Sequence, residues 1–244
     1  MKFAVIGGTG LIGSRIVQVL AEDGHEARGH ARSTGVDLPT GEGLAPALAG
    51  ADAVIDATQS PTADDTAADF FRTATANLLT AAEEAGVQHA VLLSIVGVDR
   101  VPGLGYYRAK VLQEELYKTA TVPYSIVRAT QFFEYIDAIM SWTTRRDSVR
   151  LPPTLLQPIA VADAARAVAD IATGAPLHGV RDVAGPDTFL LDELGKITLA
   201  ARGNSRLVVT DDEAGPFAAA SGTALTAPYG AHIAPTHYRD WLAA

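Results

Sequence analysis

Short apolar runs and amphipathic stretches alternate along the first two-thirds of the chain. Runs at 2–6, 26–31, 53–57, 90–94 and 124–128 predict strands. Stretches at 11–23, 42–49, 64–85, 106–119 and 162–173 carry apolar residues at helical spacing and predict helices. The runs at 53–57 and 90–94 are nearly all apolar, the pattern of strands covered on both faces. Strand and helix in alternation predict one parallel sheet sandwiched between helices.

After Thr130 the rhythm changes. Residues 131–142 read as an aromatic-rich helix, and 145–158 as irregular chain broken by Pro152, Pro153 and Pro158. A further strand is predicted at 181–183 and a helix at 191–201. The segment 212–244, rich in Ala, Gly and Pro, predicts short helices at most. The expected organisation is a core of residues 1–130, to which 155–185 return. A smaller substrate-binding cap of 131–154 and 186–244 covers the carboxyl edge of the sheet, where ligands of such sheets bind.

Composition narrows the function classes. The 244 residues are 48% hydrophobic and 19% charged, enough apolar material for a large core. The net charge of −9 and the lack of any Lys/Arg cluster argue against nucleic-acid binding, which needs clustered cations. No cysteine is present, which excludes disulfides, thiolate metal sites and thiol nucleophiles. The six histidines form no close ligand pair, so no metal site is expected. The apolar start carries four glycines by residue 13 and no basic leader, so it reads as strand and helix rather than signal peptide. A cytoplasmic protein, monomer or homodimer, without a membrane segment is expected.

The first chemistry-bearing motif is Gly7-Gly8-Thr9-Gly10-Leu11-Ile12-Gly13, lying between the first predicted strand and the first predicted helix. Strand, glycine turn and helix in that order form a phosphate cradle. The helix N-terminus offers unpaired N–H groups and partial positive charge, and glycine lets a pyrophosphate approach the backbone. Dinucleotide binding is therefore expected at Gly7, Thr9, Gly10, Leu11, Ile12 and Gly13. The bland alternative is a tight turn with no ligand.

The second motif is Tyr106-Tyr107-Arg108-Ala109-Lys110, with Ser94 upstream at a predicted strand end. Tyr106 and Lys110 stand at i and i+4 and share a helix face. A nearby ammonium favours the phenolate, so Tyr106 can exchange a proton with an oxygen as hydride moves on or off carbon. Ser94 can hold the same oxygen by a hydrogen bond, or simply satisfy a backbone group at the strand end. Lys110 can reach a nicotinamide ribose, or pair with Glu114 at i+4.

Glycine turn, strand-end serine and Tyr-x-x-x-Lys resemble the short-chain dehydrogenase/reductase superfamily, and in detail its atypical, NmrA-like branch. Supporting stretches are Asp37-Leu38, Ala49-Gly50-Ala51-Asp52-Ala53-Val54, Val122-Pro123-Tyr124-Ser125-Ile126-Val127-Arg128 and Ala162-Asp163-Ala164-Ala165. The resemblance spans about residues 1–190. It implies a Rossmann-type doubly wound α/β fold and an NAD(P)-dependent oxidoreductase with Tyr106, Lys110 and Ser94 as the catalytic set. Some members of the branch resemble NADPH-dependent quinone reductases, which pass hydride straight to a ring. Others resemble redox sensors without turnover. A non-catalytic NADP(H)-sensing regulator that binds a protein partner, or an epimerase or isomerase on the same fold, is the alternative.

NAD-preferring folds place an acidic residue at the end of the second strand, whereas an arginine there suits a 2′-phosphate. Here that strand runs into Arg32-Ser33, so NADPH is the expected cofactor, with Arg32 and Ser33 on the phosphate; the alternative is an Arg32 that only snorkels over the sheet edge. The resemblance further implies Asp37 and Leu38 at the adenine, Ala57 and Thr58 at the adenosine ribose and Thr130 at the nicotinamide. Phe132, Phe133, Tyr135, Ile136, Ile139 and Trp142 form an aromatic-rich set that is either ordinary core packing or, with Gln131, Phe132, Phe133 and Ile136 in contact, a flat apolar pocket for an aromatic or polyketide-like carbonyl or quinone. Tyr238 and Trp241 are candidates to complete its wall.

Overall fold

The computed structural model describes residues 1–64 and 66–244. In chain order the elements are β1 (Lys2–Ile6), α1 (Leu11–Glu22), β2 (Glu26–His30), α2 (Leu44–Leu48), β3 (Ala53–Asp56), α3 (Ala67–Glu84), β4 (His89–Ile95), α4 (Gly105–Lys118) and β5 (Tyr124–Ala129). There follow α5 (Ile136–Ser141), β6 (Thr144–Arg145), β7 (Ser148–Leu151), β8 (Leu155–Leu156), α6 (Val161–Thr173), β9 (Val180–Ala184), β10 (Phe189–Leu190), α7 (Leu191–Ala201), β11 (Leu207–Thr210), β12 (His232–Ile233) and α8 (Tyr238–Ala243). The third helix was expected from residue 64; it starts at Ala67, and Asp65 lies outside the described residues.

The central sheet has seven strands in the order β12-β9-β5-β4-β3-β1-β2. All of its neighbours run parallel. Period-two alternation sorts the side chains. Phe3 and Val5 of β1 face α1 and α6, and Ala4 and Ile6 face α2, α3 and α4. Alanines 164, 165, 169 and 172 form the buried stripe of α6, which lets that helix lie close beside α1. The strand order reverses beside β1, because β2 flanks it on one side and β3 on the other. The carboxyl ends at such a switch point leave an open crevice.

The remaining elements build a cap. β11, β7 and β6 make a three-stranded sheet and β10 pairs with β8. Leu151, Leu156, Leu191, Leu194 and Tyr238 share its core with Phe133 and Ile136.

Three expectations differ. Residues 131–142 are not one helix. The Phe133 amide donates to the Ile159 carbonyl and the Ile159 amide to that of Gln131, which keeps 131–132 extended; a 3-10 turn at Phe133–Tyr135 then leads into α5. The segment 145–158, expected irregular, carries β7 and β8. Val149 and Leu151 alternate inward as β7 pairs with β11, and the strand stops where the prolines remove backbone donors. Residues 212–244 do not stay wholly in the cap, because His232 and Ile233 pair with Val183 and Ala184 at the edge of the central sheet.

Candidate functional site

The glycine turn closes on itself. Gly7 has φ +79°, a conformation glycine adopts without strain. A Cβ at Gly13 would collide with the Gly7 carbonyl, and one at Gly8 with the Gly29 Cα, so these glycines are required by packing. Gly10 differs: its Cβ would meet only the Gly7 oxygen, at 3.2 Å. The Gly7 and Gly8 amides donate to the His30 carbonyl at 2.8 and 3.1 Å, and the Ser14 amide to that of Gly10 at 3.0 Å. No side chain caps α1, and the amides of Leu11, Ile12 and Gly13 have no partner among the described residues. Three free N–H groups at the mouth of a twelve-residue helix are the donor set a pyrophosphate needs. The residues present thus fit a dinucleotide.

Arg32 and Ser33 follow β2 in a 3-10 turn at Arg32–Thr34. The Arg32 side chain is largely exposed, with Nε 3.3 Å from Asp37 Oδ2. Asp37 Oδ1 is buried without a partner, and the Leu38 side chain is in the core. Asn77 Nδ2 donates to the Leu38 and Pro39 carbonyls at 2.8 and 3.0 Å and anchors this loop on α3.

Beyond the turn lies a cavity of about 370 Å³ at the carboxyl ends of β3, β4 and β5. Ile12, Ala57 and Thr58 line the end next to the glycine turn, and Ser94, Tyr106 and Lys110 one flank. Thr130, Gln131 and Phe132 form its floor; Thr130 Oγ1 and Gln131 Oε1 are buried with no partner. Tyr135, Ile139, Trp142 and Phe217 bring the cap over it, with the Trp142 and Phe217 rings stacked at 6.3 Å. Phe133 and Ile136 do not reach the cavity surface. Both are buried in the cap core, because the turn before α5 points them inward. Tyr238 and Trp241 pack on Phe133 at 4.9 and 5.5 Å and likewise lie behind the wall. The glycine-rich loop after β4 is pinned to the cap, since Arg100 donates to the Thr223 and Thr226 carbonyls at 3.2 and 2.7 Å.

The catalytic candidates sit in two buried networks. Lys110 Nζ donates to the Leu93 carbonyl at 2.8 Å and to Gln113 Oε1 at 2.6 Å, and lies 5.1 Å from the centre of the Phe71 ring. Gln113 Nε2 donates to Asp56 Oδ2 at 2.9 Å. The Thr58 amide and hydroxyl both donate to Asp56 Oδ1, at 3.0 and 2.6 Å. Burial pushes the Lys110 amine down to about 8, against the opposing pull of Asp56 and Glu114. In the second network Ser94 Oγ donates to Glu114 Oε1 at 2.6 Å, and Arg128 joins Glu114 to Asp99. Glu114 therefore pairs with Arg128 and Ser94, not with Lys110.

Tyr106 packs edge-on against Phe71 at 5.9 Å. Its phenol is pushed up, first by burial and then by Tyr135, Asp56 and Tyr107. This departs from the expectation that Lys110 lowers it: the amine is spent on Leu93 and Gln113. Asp56, Gln113, Arg128 and Phe217 were not singled out in the sequence. A carboxylate inside the apolar run 53–57 is the one signal that pointed to Asp56.

Among the described residues no group of three or more His, Asp or Glu is gathered as a metal site, and no helix is long and apolar enough to cross a membrane.

Residues 7–173 match the model of a family described as NAD(P)H-binding. The photosystem II assembly factor Ycf39 of Synechocystis sp. is 28% identical over 149 residues, which are 55% of this chain and 46% of that protein. The chain thus spans about half the length of the curated relative it matches. Two solved structures share the fold. One is an NADPH-dependent quinone oxidoreductase from Escherichia coli complexed with NADPH, with TM-score 0.73, 16% identity and coverage of 99% of this chain and 98% of that one. The other is MoeE5 in complex with UDP-glucuronic acid and NAD, with TM-score 0.73, 19% identity and coverage of 100% and 97%.

Proposed function

The chain belongs to the NAD(P)H-binding family, and we propose that it is an NADPH-dependent reductase that passes hydride to a small, flat, unsaturated acceptor, a quinone ahead of a simple ketone. The observation that carries this reading is the cavity. Its cap side is aromatic, through Tyr135, Trp142 and Phe217, while its cofactor end opens on the helix mouth. Flat rings stack on such walls, and few polar groups are needed to orient them.

The free amides of Leu11, Ile12 and Gly13 would hold the pyrophosphate, and Arg32 the 2′-phosphate of NADP. The unpartnered Thr130 Oγ1 and Gln131 Oε1 would receive the amide edge of the nicotinamide. When bound, NADPH supplies the hydride. Tyr106 keeps its proton through the neutral range, because burial disfavours the phenolate, and it can donate a hydrogen bond to an oxygen that gains charge. A quinone needs no more than this, since its ring spreads the charge that hydride brings. A simple ketone needs a stronger acid.

The same lining weighs against a sugar nucleotide as substrate. Lys110 is the one cation on the cavity among the described residues, and two of its three protons are already committed. A second diphosphate would find no counter-charge there. The test follows NADPH absorbance with a panel of benzoquinones, naphthoquinones and aliphatic ketones. Turnover with quinones and little with ketones is the expected result. No oxidation of NADPH by any quinone overturns the reading.

A further inference from the structure

Ser94 ends in the cavity flank, where the resemblance gives it a hydrogen bond to donate to a substrate oxygen. Its surroundings point the other way. A serine hydroxyl has one proton and two lone pairs. That proton goes to Glu114 Oε1 at 2.6 Å. Glu114 is 1% exposed, and Arg128 grips both of its oxygens, Nε on Oε1 at 2.8 Å and Nη2 on Oε2 at 2.6 Å. A carboxylate clamped by a guanidinium offers acceptors only. Turning the Ser94 proton into the cavity would break a charge-assisted bond inside the protein, while the lone pairs cost nothing to present.

We infer that Ser94 shows the cavity a hydrogen-bond acceptor, and that the site therefore selects ligands carrying a hydroxyl or N–H donor at that point, with Glu114 and Arg128 as positioning residues that set the polarity. Tyr106, on the same cavity, has a proton to give. A hydroxyl both donates and accepts, so it satisfies an acceptor and a donor together. An ether or ketone oxygen only accepts, so it offers the Ser94 lone pairs no donor. The inference rests on the cavity being the acceptor site of the proposed reductase. There it makes the phenolic product the better-held species and the quinone the weaker one.

The test uses the full chain saturated with NADP⁺, so that no turnover occurs, and two stable flat probes, 1-naphthol and 1-methoxynaphthalene. Binding is read by calorimetry and by quenching of tryptophan fluorescence, because Trp142 lines the cavity. The wild type is expected to hold the naphthol about tenfold more tightly, the worth of one hydrogen bond to a buried group. Ser94→Ala should reduce that preference to about twofold or less, and Ser94→Thr should restore it. Glu114→Gln, whose NH₂ competes with its oxygen for the place beside Ser94 and Arg128 Nε, should release the serine proton in part and shrink the preference. A purely structural role for Glu114 would weaken both probes alike. Thermal unfolding confirms that each variant folds, and Ser94→Ala keeps the test decisive if Glu114→Gln does not.

Equal binding of the two probes by the wild type, undetectable binding of the naphthol, or an unchanged preference in Ser94→Ala overturns the inference. Quinone reduction is followed separately. A protein with the preference but no NADPH oxidation keeps the polarity of Ser94 and loses the reductase reading.

Discussion

Asp56 and Lys110 are joined through a single buried side chain. Gln113 presents its NH₂ to Asp56 Oδ2 at 2.9 Å and its carbonyl to Lys110 Nζ at 2.6 Å, and it is 0% exposed. The two chemistries fix the orientation of the amide, because a carboxylate only accepts and an ammonium only donates. A carboxylate on β3 is thereby coupled to an amine on α4 that opens on the cavity.

The coupling predicts a titration. Burial lowers the Lys110 amine to about 8, and Asp56 limits the fall. The pH profile of kcat/KM for NADPH should carry a step at about pH 8 that Lys110→Met abolishes. Asp56→Asn should move the step to lower pH, since the neighbour that favours the charged amine is gone. A step that survives in Lys110→Met refutes the assignment. Stability follows the same group. The amine loses its proton at about 8 when folded and near the ordinary 10.5 when unfolded. Between those values the unfolded chain binds more protons, so this contribution rises with pH across the window.

The glycines of the opening turn separate into two kinds. Gly13→Ala forces a Cβ into the Gly7 carbonyl and should lower Tm by about 5 °C, the scale of an overpacked backbone contact. Gly10→Ala meets only an oxygen at 3.2 Å. It should keep Tm within about 2 °C yet weaken NADPH about tenfold, because the added methyl lies at the free amides. Differential scanning fluorimetry with and without NADPH checks both.

Much of this was legible in the sequence. The strands of the core declared themselves by apolar runs such as 3–6, and α1 by its periodic Ile16 and Leu20 after the glycines. The cap and its helix at 191–201 were legible, but its strands were not, because they exist only through partners far along the chain. Val149 and Leu151 become a strand by meeting residues 207–210. At the cavity, residue types singled out Ser94, Tyr106 and Lys110, which all line it, but not what each is bonded to. Whether Lys110 serves Tyr106 or Gln113 is decided by burial and by the placing of Asp56, which lies 54 positions before the lysine in the chain. Phe217 was invisible for the same reason: it reaches the cavity from the chain beyond β11.

Tyr106→Phe separates the two acceptor classes. A high-pKa phenol steadies a developing negative charge but gives up its proton reluctantly. Its loss should cost less than about tenfold in kcat with a quinone, and 100-fold or roughly more on any residual ketone turnover, the range of general-acid catalysis. Equal losses on both substrates, measured under saturating NADPH, would refute direct ring reduction.

Arg32 tests cofactor choice. Its guanidinium is held 3.3 Å from Asp37 but remains largely exposed, so it is free to take a second anion. Arg32→Ala should weaken NADPH by about tenfold and leave NADH within about twofold, as expected for loss of a solvent-screened phosphate contact. Fluorescence titration with each nucleotide measures the ratio, and an unchanged ratio assigns the 2′-phosphate elsewhere.

His89 gives the fold an acid-sensitive point away from the cavity. It begins β4, is 3% exposed, and sets Nε2 at 2.7 Å from Ser125 Oγ, which also accepts the Leu177 amide at 2.9 Å. Burial holds the imidazole below its ordinary 6.5. As pH falls through 6.5 the unfolded chain takes up the proton first, while the folded chain stays neutral to lower pH. The unfolded state then binds more protons, so stability is fully present above 6.5 and is lost as pH drops through the folded value. His89→Asn, which cannot titrate, should be less stable than the wild type at pH 8. Between pH 7 and pH 5 it should lose less Tm than the wild type does, by about 2 °C. Some acid slope should persist in the variant, because burial also lowers His30. Parallel loss of Tm in both proteins would place the acid sensitivity on other groups.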